Sequence, residues 1–337
     1  MKYWKKLTAL GLALVMCLSL AACGDKQEET PEPDLPPEEE LEEAPVEDDT
    51  VIRMKALKGP TGMGVAYLEE LGEGQYDLTI AAKPDEIVPL LLKGELDVAC
   101  VPANVASVLY NKSQGGIITL GINTLGVLYM MENGEEIQSM ADLKGKTIVA
   151  SGKGMTPEYA LRYLLTENGI DPDKDVTIEW KSEHSECVSA LATGAATIAM
   201  LPQPFATVAQ TKIEGLRSAL DMTAEWNALD NGSQLVTGVV VAQKAFVEEH
   251  AALVEQLMAD YAQSVEMVNG DPAAAGVRIG EMGLVEAQVA EKALPFCNIV
   301  CITGDEMKDA LSGYLQVLFD ANPESVGGAM PGEDFYG

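Results

Sequence analysis

The stretch HSECVSALATGAATIAMLPQPFATVA, residues 184–209, repeats the pattern of PDEIVPLLLKGELDVACVPANVASVL, residues 84–109. At an offset of one hundred residues, the same residue type recurs without a gap in the alignment, in the pairs Glu86/Glu186, Val88/Val188, Leu91/Leu191, Gly94/Gly194, Ala99/Ala199, Pro102/Pro202, Ala106/Ala206 and Val108/Val208. Upstream of each copy lies the pattern Lys-Gly-x-Thr, at residues 58–61 and 153–156, between a β-like apolar run and an amphipathic run. We interpret the two halves as a structural repeat.

The elements within each copy are marked by local signals. The runs LDVACV and ATIAML are continuously apolar, which is typical of parallel strands buried on both faces. Thr156 is predicted to be a helix N-cap, with Pro157 at the first helical position, and Gly94 and Gly194 are predicted to end helices. Strands that alternate with short helices predict an α/β fold built on open parallel sheets.

The length of the chain predicts two lobes. Residues 51–337 are more than one hydrophobic core usually spans. The sequence predicts that residues 51–128 form the first part of lobe 1 and residues 129–238 form lobe 2. Because the helices after residue 238 have no counterpart in the second copy, residues 239–337 are predicted to return and complete lobe 1. Two pseudo-equivalent open sheets, flanked by helices and separated by a cleft, are the expected architecture.

The N-terminus has the pattern of a targeting segment. Three lysines within the first six residues precede an apolar run over residues 7–20, and Leu-Ala-Ala-Cys ends at Cys23. This arrangement resembles a bacterial lipobox, which predicts that residues 1–22 are a signal peptide and that Cys23 is lipidated. The alternative is an ordinary secretory signal whose cleavage site happens to end in Cys.

The segment that follows Cys23 is predicted to be a tether. Residues 24–50 contain thirteen acidic residues, five prolines and no aromatic residue. Such a segment buries too little apolar surface to offset the entropy of ordering, and its charges repel one another. Residues 23–50 are therefore predicted to hold a folded domain away from a membrane, although an acidic partner-binding segment is an alternative.

Charge and cysteine content exclude several classes of protein. The formal net charge is −31, and no basic stripe is present, which argues against nucleic-acid binding. There is no second long apolar run, so the chain is predicted to be anchored to a membrane rather than to span it. Cys100, Cys187, Cys297 and Cys301 lack the paired spacing of a zinc site and are predicted to be buried small hydrophobes. No metal or cofactor is predicted.

The repeat predicts where a ligand would bind. In open α/β sheets, ligands bind beyond the carboxyl ends of the strands, where helix N-termini favour anions. Two such lobes facing each other would line a cleft with the loops at residues 58–62, 83–85, 102–104, 151–156, 183–186 and 202–204. The candidate ligand-binding residues are Lys58, Thr61, Gly62, Lys83, Asn104, Ser151, Lys153, Gly154, Thr156, His184 and Gln203.

Each type of candidate residue has a structural alternative. The three lysines could equally be solvated residues at the rim of the cleft, and the two threonines could be helix caps. A histidine at a helix start could be a half-exposed residue of the first turn. Phe205, Trp226 and Tyr129 could stack on a ring-shaped ligand, although aromatic residues at lobe edges usually pack against protein.

Several motifs also resemble a known family. DLKGKTIVASGKGMTPEYALRYLL (142–165), GAATIAMLPQPFATVA (194–209) and GGAMPGEDFYG (327–337) are similar to substrate-binding lipoproteins of bacterial ABC importers. The subgroup resembled is the nitrate/sulfonate/taurine type, which shares its fold with proteins that bind the pyrimidine precursor of thiamine. The candidate loops depart from a strong anion-binding pattern because they contain no Arg, the residue often used for bidentate recognition.

The resemblance implies a fold, a location and partners. It implies a type II periplasmic-binding fold that closes on a small solute and delivers it to the transmembrane subunits of an ABC permease. The protein would be a monomer, held by its lipid at the extracytoplasmic face of the cell membrane. A binder of a pyrimidine-like ring, or a solute sensor that feeds no permease, is an alternative on the same scaffold.

The sequence does not favour an enzyme. It has no Gly-x-Ser-x-Gly elbow, no Cys/His pair in a shared loop and no His-x-x-x-His pattern. Gly152 and Gly154 flank Lys153 in a form that faintly resembles a phosphate loop, but the Gly-Lys-Ser/Thr ending is missing. A binding protein without a cofactor is therefore the prediction.

Overall fold

The computed structural model describes residues 49–337. The predicted signal peptide, the lipidation site Cys23 and nearly all of the predicted tether lie outside the described residues. Within residues 49–337, no helix is both long and apolar enough to cross a membrane.

The described part of the chain alternates strands and helices. The strands are β1 Ile52–Leu57, β2 Tyr76–Ala81, β3 Val98–Pro102, β4 Ile117–Leu125, β5 Leu128–Glu132, β6 Thr147–Ser151, β7 Thr177–Lys181, β8 Ile198–Pro202, β9 Arg217–Asp221, β10 Val236–Gln243 and β11 Ile299–Ile302. The helices are α1 Pro60–Met63, α2 Leu68–Leu71, α3 Val88–Lys93, α4 Ala103–Ser113, α5 Thr156–Glu167, α6 His184–Ala192, α7 Phe205–Lys212, α8 Met222–Asn227, α9 Lys244–Glu249, α10 Ala251–Gly270, α11 Pro272–Glu281, α12 Ala287–Ala293 and α13 Gly304–Ala321. Short 3₁₀ turns lie at Pro84–Glu86, Met140–Leu143, Leu294–Phe296, Pro323–Val326 and Glu333–Phe335.

These strands form two sheets with equivalent centres. The first sheet has the order β11-β4-β10-β3-β1-β2, and the second has the order β7-β6-β8-β5-β9. In the first sheet β1 is parallel to β2 and β3, and in the second β6 is parallel to β7 and β8. The two copies of the sequence repeat therefore build the same three-stranded parallel unit, and the predicted pair of equivalent sheets is confirmed.

The predicted parallel sheets are parallel only in these three-stranded units. β10 is antiparallel to β3 and β4, and β5 is antiparallel to β8 and β9. Both β5 and β10 follow a passage of the chain from one sheet to the other, and they begin beside the carboxyl ends of parallel strands, where Leu128 pairs with Pro202 and Gly238 pairs with Pro102. A strand that enters at that end must run against its parallel neighbour, so both sheets are mixed.

The chain passes between the sheets twice. Gly126 and Val127 join β4 to β5, and residues 228–235 connect α8 to β10. The first connection is tied to the C-terminal region by Asn298, whose side-chain nitrogen donates to the Gly126 carbonyl at 2.5 Å and whose own carbonyl accepts from the Leu125 N–H at 3.1 Å. The C-terminal region therefore packs at the junction of the two sheets.

The helix start at Thr156 differs from the sequence prediction. Thr156 is the first residue of α5, and Met155 occupies the N-cap position with an extended backbone. Pro157 lies in the first turn as expected. The Thr156 hydroxyl consequently does not cap the helix that it begins. The predicted helix ends are confirmed: Gly94 directly follows α3 with a left-handed φ of 71°, and Gly194 follows α6 after Thr193 with a left-handed φ of 72°.

The cysteines behave largely as predicted. None of the four cysteines in the described residues forms a disulfide; Cys100, Cys187 and Cys297 are buried, whereas Cys301 is half-buried. Burial raises the pKa of Cys100 to about 12, so its thiol stays protonated near neutral pH. Within residues 49–337, no cluster of three or more His, Cys, Asp or Glu side chains is placed to hold a metal ion.

Candidate functional site

A cavity of about 130 Å³ lies where the strand ends of the two sheets face each other. The segments that follow β1, β6, β7 and β8 contribute to its wall, together with the end of β3 and the starts of β5 and β10. The lining residues are Leu57, Lys58, Gly59, Pro60, Thr61, Pro102, Val127, Leu128, Met155, Thr156, Pro157, His184, Pro202, Gln203, Phe205 and Thr237. We call this space the cleft.

Three helices of the second sheet begin at the cleft. Thr156, His184 and Phe205 are the first residues of α5, α6 and α7, and all three line the wall. The first N–H groups of a helix have no partner within the helix, and the aligned peptide dipoles place partial positive charge there. The cleft is therefore positively polarised on the side of the second sheet, although most of its wall is apolar.

Thr156 presents a buried hydroxyl without a partner. Its side chain is only 2% exposed, and its Oγ1 atom has no hydrogen-bond partner. The hydroxyl of Tyr314 from α13 lies nearby, but the geometry between the two oxygens falls short of a hydrogen bond. A buried polar group without a partner is unfavourable, so the Thr156 hydroxyl is available to a ligand oxygen that enters the cleft.

His184 forms a pair with Ser151. Ser151 Oγ lies 2.5 Å from His184 Nδ1, and the imidazole ring packs on the Phe205 ring with centroids 5.0 Å apart. Burial lowers the pKa of His184 from 6.5 to about 4, and the nearby carboxylate of Glu183 opposes this shift. The imidazole is therefore neutral at pH 7, and the side of the ring opposite Ser151 can interact with a ligand.

Gln203 is held by the helix that follows it. Its Oε1 atom accepts hydrogen bonds from the hydroxyl of Thr207 at 2.9 Å and from the backbone N–H of Thr207 at 3.3 Å. Its backbone N–H donates to the Val127 carbonyl at 2.9 Å, which ties β8 to the connection between the sheets. With Oε1 occupied, the Nε2 group is the part of the amide that can donate to a ligand.

The first sheet contributes a hydroxyl and a charged side chain. Thr61 lines the cleft, and the side-chain nitrogen of Asn123 donates to the Thr61 carbonyl at 3.3 Å. Lys58 also lines the cleft and is exposed, so its ammonium lies at the rim. Gly62 does not line the cleft; a Cβ atom there would lie 2.5 Å from the Leu57 carbonyl oxygen, so the residue allows α1 to pack on β1.

Four other candidates lie outside the wall of the cleft. Lys83 is exposed, and its backbone N–H donates to Glu86 at 3.1 Å. Asn104 is buried and donates from Nδ2 to the Ser325 carbonyl at 3.3 Å, so it holds the C-terminal segment. Lys153 and Gly154 are exposed residues of the turn before α5.

The three aromatic candidates differ in whether they line the cleft. Phe205 lines the cleft, whereas Trp226 is fully buried between Tyr163 and Tyr314 and donates from Nε1 to Ser233. Tyr129 is buried and donates to the Phe296 carbonyl at 3.1 Å. Only Phe205 among these three is therefore placed to contact a ligand in the cleft.

Sequence reasoning missed part of the apolar wall. The predicted loops contained Pro60 and Met155 but not Leu57, Val127, Leu128, Pro157 or Thr237. Leu57 is the last residue of β1, just before a predicted loop, and Pro157 follows another predicted loop. Val127, Leu128 and Thr237 became part of the wall through the antiparallel strands β5 and β10 and the connection before β5, whose direction the repeat did not predict.

Comparison with known proteins identifies the family. The sequence profile described as "ABC transporter, phosphonate, periplasmic substrate-binding protein" matches residues 62–288. The chain belongs to this family. The matched range contains every lining residue except the five at positions 57–61. Members of the family are substrate-binding components of transporters rather than enzymes.

Related proteins agree with membership of the family of periplasmic substrate-binding proteins. YtlA of Bacillus subtilis (strain 168) is 26% identical over 133 residues, which are 38% of this chain and 39% of YtlA, so the match spans less than half of that relative. An ABC transporter structure from Parabacteroides distasonis has a TM-score of 0.71 and 25% identity, over 86% of this chain and 99% of that one.

A third similarity supports the fold alone. The periplasmic aliphatic sulphonate binding protein SsuA from Escherichia coli is similar with a TM-score of 0.68 and 15% identity, over 82% of this chain and 94% of SsuA. The two mixed sheets flanked by helices are thus the architecture of periplasmic binding proteins.

Proposed function

We propose that this chain is the solute receptor of an ABC importer and that it captures a small anion in the cleft. The nitrate, sulfonate, taurine and phosphonate types are the ligand classes in question. The observation that carries the proposal is the meeting of three helix N-termini with the unpartnered, buried Thr156 hydroxyl. Together they offer N–H and O–H donors and a positive field without a full positive charge.

The candidate contacts divide by position. Thr61 and Lys58 approach the solute from the first sheet, and Thr156, His184 and Gln203 approach it from the second. Ser151 acts through His184, which it holds by the 2.5 Å contact. Lys83, Asn104, Lys153, Gly154 and Gly62 act at most indirectly, because none of them lines the cleft.

Closure on the solute is part of this proposal. Residues 51–125 and 236–337 would move as one lobe and residues 128–227 as the other, with Gly126–Val127 and residues 228–235 as the connections. A ligand that contacts both lobes stabilises the closed arrangement by its differential affinity, as in hinge closure of other binding proteins.

The ligand test is a thermal-unfolding panel on the purified protein. The panel contains nitrate, sulfate, inorganic phosphate, methylphosphonate, 1-propanesulfonate and taurine, with chloride as the control. Saturation at a hundred times the Kd stabilises by about 2.7 kcal/mol. At roughly 2–4 °C per kcal/mol for a domain near this size, that is a shift of several degrees.

A variant links any shift to the cleft. Thr156→Val keeps the shape of the side chain and removes only the unpartnered hydroxyl, so the free protein should stay stable while the ligand-induced shift shrinks. Absence of a shift with every anion, or a shift that Thr156→Val leaves intact, would contradict the anion site.

The membrane anchor is a separate part of the proposal. Cys23 would carry a diacylglycerol, and residues 24–50 would hold a monomeric domain away from the extracytoplasmic face and near the permease. The test is fractionation of cells that express the wild type or Cys23→Ser. The variant should leave the membrane fraction after signal cleavage; retention there would contradict lipidation.

A ring-shaped ligand is the second candidate. The observation in its favour is Phe205, which lines the cleft and packs on His184 at 5.0 Å. A pyrimidine of the thiamine-precursor type belongs in the same panel. Stabilisation by that ring alone, lost in Phe205→Leu, would move the assignment from the anion to the ring.

A further inference from the structure

Two buried hydroxyls without partners belong to helices that contact each other, Thr156 on α5 at the cleft and Tyr314 on α13. Within residues 49–337, the Oγ1 atom of Thr156 and the phenolic oxygen of Tyr314 are both buried and both lack a hydrogen-bond partner. Each such group costs free energy in the folded state, because it has lost its bonds to water. Two such groups, one of which lines the cleft, destabilise the free protein. This cost is explained if both hydroxyls form hydrogen bonds when a ligand is bound.

Tyr314 is fixed from the other half of the molecule. It lies on α13, which contacts β4 and β10 of the first sheet and also α5. The Tyr314 ring is fully buried and packs on Trp226 with centroids 5.7 Å apart, and Trp226 packs on Tyr163 of α5 at 4.8 Å.

The position of Tyr163 relates this packing to the cleft. Thr156 and Tyr163 are seven residues apart on α5, so they lie on the same face of that helix, about two turns apart. The first half of the molecule therefore holds the Tyr314 ring against the α5 face whose first residue lines the cleft.

The phenol has the correct protonation state to donate. Burial raises the pKa of Tyr314 well above its usual range, and the nearby Thr156 hydroxyl opposes this shift. The phenol therefore keeps its proton near neutral pH. A threonine hydroxyl can accept one hydrogen bond while it donates its own proton elsewhere.

We propose that Tyr314 is a positioning residue for the cleft: when an anion binds, the Tyr314 hydroxyl donates to Thr156 Oγ1, and the Thr156 hydroxyl donates to the anion. This inference rests on the proposed function. Chained hydrogen bonds polarise one another, so each bond strengthens the next. Because Tyr314 belongs to α13 and Thr156 to α5, these two hydrogen bonds also connect the two halves of the molecule to the ligand.

The test uses Tyr314→Phe, which removes one oxygen and keeps the ring. The variant, Thr156→Val, the double variant and the wild type are titrated calorimetrically with inorganic phosphate, methylphosphonate and 1-propanesulfonate. Tyr314→Phe should weaken binding by about three- to tenfold, the worth of one hydrogen bond. Its Tm without ligand should stay the same or rise, because a buried hydroxyl without a partner has been removed.

Thr119→Val is the matched control. Thr119 lies in β4, is fully buried, and carries another Oγ1 without a partner, but it does not line the cleft. Its removal should affect the Tm as Tyr314→Phe does and leave all affinities unchanged. The double variant should bind no more weakly than Thr156→Val alone, because both substitutions break one chain of bonds.

Three outcomes would overturn the inference. Unchanged affinity in Tyr314→Phe would exclude a role in binding, and a parallel fall of affinity and Tm would indicate general loosening. Additive losses in the double variant would show that the two hydroxyls act independently. If the wild type binds no anion of the thermal-unfolding panel, the proposed function is contradicted, and this inference is contradicted with it.

Discussion

Ser151 Oγ and His184 Nδ1 lie 2.5 Å apart at the wall of the cleft, one at the end of β6 and the other at the first residue of α6. Ser151 ends β6 and is buried, and His184 is half-buried and follows β7, the parallel neighbour of β6. Their contact orients the imidazole, whose lowered pKa keeps it neutral. The pair therefore places a titratable imidazole at the cleft with its ring held in one orientation.

The first prediction concerns pH and stability. His184 has a pKa of about 4 in the folded protein because of burial, against 6.5 when unfolded. Between these values the unfolded chain binds the proton more tightly, so stability is complete above pH 6.5 and is lost as the pH falls towards 4. The loss attributable to His184 should reach up to about 3 kcal/mol.

Urea denaturation at pH 7.0 and 4.5 measures this loss of stability. Carboxylates also titrate in that range, so the quantity to compare is the difference between the wild type and His184→Gln. The variant should show a shallower fall with acidity. Equal falls in the two proteins would mean that His184 is not held neutral by the fold.

The second prediction concerns the charge of the solute. The wall opposite the helix N-termini is apolar at Leu57, Val127 and Leu128, and no carboxylate side chain is among the described residues that line the cleft. An ammonium group placed there would lose its hydration and face positive dipoles. We expect 1-propanesulfonate to bind at least tenfold more tightly than taurine, which has an ammonium in place of the methyl group.

Two variants sharpen this comparison. Leu57→Glu places a carboxylate in the apolar wall and should reduce or reverse the preference, whereas Leu57→Gln has the same shape without the charge and should not. Calorimetric titration of both ligands into the three proteins gives the ratios. Taurine that binds the wild type as tightly as 1-propanesulfonate would refute an apolar subsite while leaving an anion site intact.

The third prediction concerns Gly62. A Cβ atom at this position would lie 2.5 Å from the Leu57 carbonyl oxygen and 3.2 Å from the Leu284 side chain. Gly62→Ala should therefore displace α1 and destabilise the protein by about 1–3 kcal/mol, because overpacking moves the backbone. Thermal unfolding measures the change.

Gly270 provides the control for this substitution. It is the last residue of α10, and a Cβ atom there would contact nothing within 4 Å. Gly270→Ala should be neutral or stabilise by up to about 1 kcal/mol through helix propensity. Equal effects of the two substitutions would mean that Gly62 is not required for close packing.

The fourth prediction concerns Asn298, which ties the C-terminal region to the connection at Gly126. Its backbone has a left-handed φ of 45°, and its side chain donates to the Gly126 carbonyl at 2.5 Å. Asn298→Gly removes the hydrogen bond but tolerates the left-handed φ angle without strain. Asn298→Ala removes the same hydrogen bond and also strains the backbone.

Denaturation should separate the two contributions. The free energy of unfolding should fall by about 1 kcal/mol in Asn298→Gly and by about 1 kcal/mol more in Asn298→Ala. Because the connection between the sheets is affected, both variants should also change the rate at which a bound anion dissociates. Equal stability of the two variants would show that the left-handed backbone contributes nothing.

The repeat predicted the two sheets because its paired residues stabilise the same turns and helix ends in both halves. Glu86 accepts a backbone N–H from Lys83 at 3.1 Å, and Glu186 accepts one from Ser182 at 3.0 Å, so the paired glutamates hold equivalent turns. Gly94 and Gly194 end equivalent helices with almost the same φ angle. Such requirements are satisfied within a few residues, and a single sequence can reveal them.

The same repeat did not predict correctly which of the equivalent residues line the cleft, because that depends on long-range packing. The loops after β2 and β7 occupy equivalent positions in the repeat, yet His184 lines the cleft and its counterpart Pro84 does not, nor does Lys83. Asn104 and Gln203 follow equivalent strands, but Asn104 donates to Ser325 from the C-terminal segment, more than two hundred residues away, whereas Gln203 stays at the cleft. Nothing in either local sequence records that the C-terminal segment around Ser325 packs on α4, the helix that carries Asn104.

The sequence by itself determined the α/β class, the two equivalent three-stranded units and most of the strand ends that line the cleft. These features follow from hydrophobic periodicity and from turn residues, which act over short stretches of chain. Only the tertiary structure decided the direction of β5 and β10, the burial of Trp226, and the meeting of Thr156 with Tyr314. Those depend on where distant segments pack, because a side chain at a strand end reaches the cleft only if no other part of the chain covers it.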